Sequence, residues 1–333
     1  MNNKVLFIGG TGVISSACAP AAVRKGFDLY LLRRGQSTRP APEEAITLTG
    51  DIRDPESVKR AIGDMEFDAV VDFIAFTPEH VAADIETFRG RTGQYVFISS
   101  ASAYQTPPAR LPVVESTPLR NPYWEYSRNK IACEDLLVRE YRENGFPATI
   151  VRPSHTYDKT LLPFDSGFTA IDRMRRGKKI IVHGDGTSLW TMTHHKDFAK
   201  AFTGLLANPR AIGEAYHITS DDYWTWDQIA EIFADAAGTV ADIVHVPSEV
   251  IATYDARWGA GLLGDKAHSM VFDNSKIKNL VPDFKATIPL QAGAREVMDW
   301  YDADPARGKV DPSRDALIDA IIAAQQGARA KAG

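Results

Sequence analysis

The chain of 333 residues has only two cysteines, Cys18 and Cys133, and each falls in a stretch with a helical pattern. Two isolated thiols exclude a disulfide framework and offer no clustered ligand spacing, so a reducing, cytoplasmic setting is expected and a metal is not. Long apolar runs are lacking as well. The N-terminal run is only Val5 to Gly9, too short for a signal peptide or a membrane span. Neither sign of charge dominates, since 38 Lys and Arg stand against 43 Asp and Glu for a net of −5. Without a basic block, neither nucleic acid nor a membrane is an expected partner, and a small molecule is. What the sequence does hold is globular in composition, 44% hydrophobic and 24% charged. That leaves room for one large domain or two moderate ones.

Through the first 150 residues, short β-branched runs alternate with longer helical patterns. Strands are predicted at 4–8, 28–32, 45–49, 68–74, 94–99 and 147–151, and helices at 12–25, 55–62, 79–88 and 124–144. This rhythm is that of βαβ units, so the expected fold is α/β, a Rossmann-like doubly wound parallel sheet. After Arg152 the pattern breaks, returns with a helix at 195–207 and a strand at 215–219, and breaks again. The predicted division is therefore 1–153 plus 187–219 for the sheet domain, with 154–186 plus 220–333 forming a smaller α/β cap over the substrate.

At the first strand-to-helix junction stands Gly9-Gly10-Thr11-Gly12-Val13-Ile14-Ser15. Glycines there let the backbone approach a pyrophosphate, whose charge meets the free amides and dipole of the helix N-terminus. Gly9, Thr11, Gly12, Val13 and Ile14 are the expected cradle, and Ser15, in the place of a third glycine, would bring a hydroxyl near phosphate. The second strand ends in Arg33-Arg34, with no acid to accept from a ribose hydroxyl, so NADP is favoured slightly over NAD. Asp51 and Ile52, after the third strand, are placed beside the adenine. Asp54 before Pro55 reads as a helix cap.

Tyr126 and Lys130 lie at i and i+4, on one face of a predicted helix. A nearby cation lowers a phenol's pKa, which suits Tyr126 to exchange a proton with a hydroxyl or carbonyl. Ser99-Ser100-Ala101-Ser102 sits at the carboxyl end of a predicted strand, where ligands of such sheets bind.

GGTGVIS, GDIRD, VFISSASAY and YSRNK, in this order and at these separations, resemble the extended short-chain dehydrogenase/reductase superfamily, which includes the NAD-dependent nucleotide-sugar epimerases and dehydratases. The likeness runs from about residue 4 to 220. It implies an NAD(P)-dependent oxidoreductase in which Ser100 bonds the reacting oxygen, Tyr126 is the acid/base and Lys130 holds the ribose and lowers the Tyr126 pKa, with Ser102 as a second-choice partner and Ala75 and Pro153 beside the cofactor. Two-fold dimers occur among such relatives, and helices 79–88 and 124–144 are candidates for a homodimer interface.

Three departures from the family pattern fall in the substrate region. The Asp-Glu pair of the dehydratases is replaced by Ala101 and Ser102, so dehydration is not expected. The Arg that clamps a diphosphate after GDG is replaced by Trp190, and His155 replaces the usual Asn, with Asp158 in place of a Gly. A sugar-like substrate without the nucleotide is expected, stacked on Trp190 and bonded by His155, and its secondary alcohol or ketone would be the reacting group. Epimerisation is the alternative within this chemistry, and a non-catalytic cofactor- or RNA-binding protein is the alternative outside it. His194 and His195, adjacent on a helix start, point about 100° apart and make a poor metal pair. Trp258, in a glycine-rich stretch, is expected in a lid.

Overall fold

The computed structural model describes residues 3–307 and 310–332; residues 1–2, 308–309 and 333, which fall within the expected domain ranges, lie outside the described residues. In chain order, β1 (Lys4–Ile8), α1 (Ser15–Arg24), β2 (Asp28–Arg33), β3 (Ile46–Thr49), α2 (Pro55–Ile62), β4 (Ala69–Asp72), α3 (Pro78–Phe88), β5 (Tyr95–Ile98), α4 (Glu125–Asn144) and β6 (Ala148–Pro153) follow the alternation predicted from sequence. The chain continues through β7 (His155–Tyr157), α5 (Phe168–Arg175), β8 (Ile180–His183), β9 (Leu189–Trp190), β10 (Met192–His194) and α6 (His195–Leu205), and returns as β11 (Ala215–Ile218). Beyond it lie β12 (Trp224–Thr225), α7 (Trp226–Ala236), β13 (Ile243–Val246), α8 (Ser248–Tyr254), α9 (Ala256–Gly261), α10 (Ser275–Leu280), α11 (Leu290–Asp302) and α12 (Pro312–Ala332).

Seven strands form one sheet in the order β11-β6-β5-β4-β1-β2-β3, every neighbouring pair parallel. A parallel sheet is covered on both faces, which is why its strands are apolar at successive positions. In β1, Val5 and Phe7 pack on one side with Phe198 and Phe202 of α6, while Leu6 and Ile8 pack on the other with Val58, Val81 and Leu137. Strand order reverses between β1 and β4, and this switch opens a crevice at the carboxyl ends where a ligand is admitted. The predicted cap at Asp54 is present, its Oδ1 accepting from the Glu56 amide at 3.1 Å with Pro55 in the first turn.

Outside the sheet, three short pairings hold the remaining segments: β7 with β10 and β8 with β13, both parallel, and β9 with β12, antiparallel. A second core gathers Tyr157, Ile171, Trp190, Trp226, Phe233 and Val297. Asp197, at the start of α6, joins the two regions. Its Oδ2 accepts from the amides of Thr287 (3.0 Å) and Ile288 (2.8 Å), and its Oδ1 from Lys200 Nζ (2.5 Å).

Candidate active site

The glycine turn closes because two of its positions admit no side chain. Gly9 has φ +87°, and a Cβ there would stand 2.6 Å from Ile74 Cγ2; one on Gly10 would stand 2.6 Å from Leu31 Cδ2. Ser15 corrects an expectation: its hydroxyl donates to the Gly9 carbonyl (3.1 Å) and accepts from the Gly12 amide (2.7 Å). Both capacities are spent inside the loop, so Ser15 braces the cradle and brings no hydroxyl to a phosphate. Among the described residues no acceptor meets the amides of Val13 and Ile14, the orphan donors of a helix N-terminus.

Two cavities flank this turn. One of ≈ 460 Å³ is lined by Gly9, Thr11, Arg33, Arg34, Asp51 and Ile52, together with Arg53 and His80, which sequence reasoning did not select. Arg34 Nη1 stands 3.9 Å from Asp51 Oδ2, Arg33 Nη2 donates to Thr47 Oγ1 at 3.1 Å, and Arg53 Nη2 donates to the Ile74 carbonyl at 2.6 Å. The other, ≈ 320 Å³, is lined by Gly12, Val13, Ile14, Ser100, Tyr126, Lys130, Pro153 and His155. The two share Gly9, Ile74 and Phe76. A close-approach glycine, two orphan amides and two adjoining cavities fit a dinucleotide laid across the sheet edge.

The second cavity brings together the three side chains expected to react, one from the end of β5 and two from α4. Ser100 follows β5, and its Oγ lies 2.9 Å from Ser102 Oγ, which in turn accepts from Ser127 Oγ at 2.7 Å. Ser102 is thus buried with its hydroxyl committed, and it lines neither cavity. It positions Ser100, a correction to its expected contact with substrate. Tyr126, near the start of α4, lies beside Phe76 and Trp124 (ring centroids 6.4 and 4.9 Å). Burial pushes its phenol up to about 12, opposed by the Ser100 hydroxyl and assisted by the Asp265 carboxyl.

Lys130, one turn on, is 2% exposed and donates to the carbonyls of Ala75 (2.6 Å) and Ile98 (2.7 Å). Burial brings its ammonium down to about 8. The expected depression of the Tyr126 pKa by Lys130 is not found. The ammonium is held by two backbone carbonyls, and the Tyr126 ring lies 5.8 Å away. Ala75 contributes through that carbonyl, on a turn fixed by Asp72 Oδ1, which accepts from the amides of Ile74 (2.5 Å) and Ala75 (2.8 Å).

Behind Ser100, Glu134 and Arg152 form a buried bidentate pair at 3.0 and 2.5 Å, and the neighbouring Ser99 Oγ donates to Glu134 Oε1 at 2.5 Å. From the far side a single π-helical turn, Leu262–Lys266, closes on the serines. Asn121 Nδ2 bridges the Ser102 carbonyl (2.9 Å) and the Gly264 carbonyl (2.6 Å). The turn carries Asp265, raised by burial, with Lys266 Nζ 3.3 Å from it. Sequence reasoning missed Asn121 and Glu134, whose partners lie 143 and 18 residues away in the chain, and the neighbouring pair Asp265 and Lys266, which only the fold brings to the site.

The substrate-side expectations fare unequally. His155 lines the cavity that holds Ser100, Tyr126 and Lys130 and a further one behind it, and burial pushes it down to about 3, so its ring is neutral. Trp190 corrects the expected stacking platform: it is 4% exposed, packs 5.9 Å from Trp226 and lines none of these cavities. Pairing of β9 with β12 turns its ring into the second core. Trp258 is likewise packed, 8% exposed with the Arg314 guanidinium 5.3 Å from its ring, rather than part of a lid. His194 and His195 serve separate partners, Glu296 Oε2 at 3.0 Å and the Val13 carbonyl at 3.2 Å. Among the described residues no group of three or more potential ligands gathers for a metal, and no helix is long and apolar enough to cross a membrane.

The chain is 29% identical over 257 residues to the chloroplast stem-loop binding protein of 41 kDa b of Arabidopsis thaliana, covering 73% of this chain and 65% of that protein, less than two thirds of its length. It is 27% identical over 297 residues to the 2'-dehydrokanamycin reductase of Streptomyces kanamyceticus, covering 85% of this chain and 80% of that one. A solved structure of the UDP-glucuronic acid 4-epimerase of Bacillus cereus, in complex with UDP-glucuronic acid and NAD, superposes with a TM-score of 0.71 at 17% identity, covering 90% of this chain and 99% of the other. That identity carries the fold alone. Residues 5–219, from β1 through the end of β11, match the model of the NAD dependent epimerase/dehydratase family, and the chain belongs to that family.

Proposed function

We propose that the protein is an NAD(P)-dependent oxidoreductase acting on a secondary alcohol or ketone of a sugar-like compound. The observation that carries this reading is one cavity lined at once by the glycine turn, Ser100, Tyr126 and Lys130. A bound nicotinamide supplies the redox chemistry. Ser100 bonds the reacting oxygen, Lys130 holds the ribose, and Tyr126, protonated at neutral pH with its pKa raised to about 12, donates its proton to a carbonyl oxygen. Arg33 and Arg34 in the first cavity support NADP over NAD, and two buried free thiols accord with a cytoplasmic setting.

Purified protein screened with each coenzyme against free sugars, sugar acids, polyols, their keto forms and nucleotide sugars tests the proposal through the absorbance of reduced coenzyme. Net absorbance change with a sugar-like compound is the expected result. Turnover without net change and without added coenzyme would make it an epimerase. Salt-sensitive RNA binding with no activity across the panel would make it a non-catalytic binding protein.

A further inference from the structure

Asp72 ends β4 at the crevice and Asp84 faces it from α3, and both are fully buried. One oxygen of each has its partners. Asp72 Oδ1 accepts from the amides of Ile74 and Ala75, and Asp84 Oδ2 accepts from the Tyr95 phenol at 2.6 Å. The other two oxygens, Asp72 Oδ2 and Asp84 Oδ1, are buried with no donor among the described residues, while the two carboxyls stand within hydrogen-bond reach of each other. Ionised carboxylates only accept, so a pair of them would leave both oxygens bare and two charges in contact without water. A single proton between them removes both costs. Burial and the Asp72 charge push the Asp84 carboxyl well above its ordinary range, which makes Asp84 the donor.

Arg53 is the rival partner. Its Nη1 stands 3.9 Å from Asp84 Oδ1, beyond hydrogen-bond distance, and its Nη2 is spent on the Ile74 carbonyl. Lys130 of α4 is likewise turned to carbonyls, and His80 of α3 accepts at Nδ1 from the Phe76 amide at 3.1 Å. Cys133 of α4, pushed up to about 12 by burial, stays a thiol. The acid pair matters to the site because of what hangs on the turn that Asp72 holds. The Ile74 carbonyl takes Arg53, which lines the first coenzyme cavity, and the Ala75 carbonyl takes Lys130, which lines the second. Neither acid lines a cavity itself.

We propose that Asp84 donates a carboxyl proton to Asp72, and that this pair positions Lys130 against the coenzyme through the Ile74–Ala75 turn. The positioning role rests on the reading above, in which Lys130 holds the coenzyme ribose. Asp72 and Asp84 are positioning residues, and the proton between them stays in place while the Tyr126 proton moves.

The test joins infrared spectroscopy at pH 7 to titration with reduced coenzyme, followed by its fluorescence. The wild type is expected to show the C=O stretch of a buried protonated carboxylic acid, and Asp84→Asn to lack it. Asparagine puts an N–H where the acid proton was and keeps an acceptor for Tyr95, so Asp84→Asn is expected to bind coenzyme within threefold of the wild type. Asp84→Leu has similar bulk and no donor, and a Kd at least tenfold higher is expected, with folding checked by circular dichroism. Asp84→Ala replaces it if the leucine variant does not fold. Absence of the band from the wild type, or Asp84→Asn binding as weakly as Asp84→Leu, overturns the shared proton in favour of an ion pair with Arg53. A folded Asp84→Leu or Asp84→Ala that binds as the wild type does overturns the positioning role, and so does failure of both to fold, which makes the pair structural only. Neither measurement needs turnover, so an inactive protein that binds coenzyme fails the redox reading alone. A wild type that binds no coenzyme overturns the positioning role with the reading it rests on, and the infrared band still decides the shared proton.

Discussion

Replacing Glu134 with alanine removes the carboxylate that neutralises Arg152 and accepts from Ser99, directly behind Ser100. The Glu134 and Arg152 side chains are 2% and 6% exposed, so the guanidinium left behind has little water to turn to. Removing one member of a buried pair costs about 3–5 kcal/mol, because an uncompensated charge remains. A total near 4 kcal/mol is expected, the Tyr104 ring 4.8 Å from the guanidinium giving only partial relief. With an m value of about 3 kcal/mol per M, the urea midpoint falls by about 1.3 M. Equilibrium unfolding followed by circular dichroism measures this. The double variant Glu134→Leu with Arg152→Met removes both charges and is expected to recover more than half of the loss. A midpoint shift below about 0.3 M for Glu134→Ala, or a double variant no more stable than the single one, refutes the reasoning.

Ser127→Ala takes away the hydroxyl that fixes Ser102 and through it Ser100; kcat is expected to fall three- to tenfold with the coenzyme KM unchanged, and a shift in KM alone would contradict a positioning role. Arg34→Ala is expected to lower kcat/KM with NADP at least tenfold and with NAD less than threefold, as steady-state kinetics with both coenzymes would show. Lys130 falls from its ordinary 10.5 to about 8 in the fold, so between those values the unfolded chain binds more protons. This group's contribution to stability is therefore fully present above pH 10.5 and lost as pH falls through 8. Its full span is at most about 3.4 kcal/mol. Denaturation at pH 7.5, 9 and 10.5 should show the wild type gaining on Lys130→Met across that range, and a constant difference would contradict it.

The strands were legible because a parallel sheet buries both faces, leaving continuous runs such as VLFI and AVVD with little to confuse them. The glycine turn was legible because strand, close-approach glycines and helix start are contiguous in the chain. Tyr126 and Lys130 were legible as a helical pair, but their electrostatics were not, since the Lys130 partners are carbonyls 32 and 55 residues away. The same distance hid Asn121, whose bond to Gly264 spans 143 residues. Trp190 shows the opposite failure. Its place after GDG suggested a substrate contact, whereas the facing of its ring depends on the register of β9 with β12, Trp190 opposite Trp224, which no local pattern discloses. The cavity behind His155 was invisible for a related reason, as its walls converge from β7, α5, β8, α7, α9, α12 and the π-helical turn.

The central claim, that Tyr126 carries the proton in a redox reaction at this cleft, is tested most directly by Tyr126→Phe on a substrate that the wild type turns over. The phenol meets the Ser100 hydroxyl, and a phenylalanine ring keeps the packing against Phe76 and Trp124, so the substitution should leave the thermal midpoint and the coenzyme KM nearly unchanged. A general acid contributes about 10²–10⁴ in rate. A kcat at least a hundredfold lower with intact folding and coenzyme binding is expected, and a kcat within threefold of the wild type would show that Tyr126 does not carry the proton.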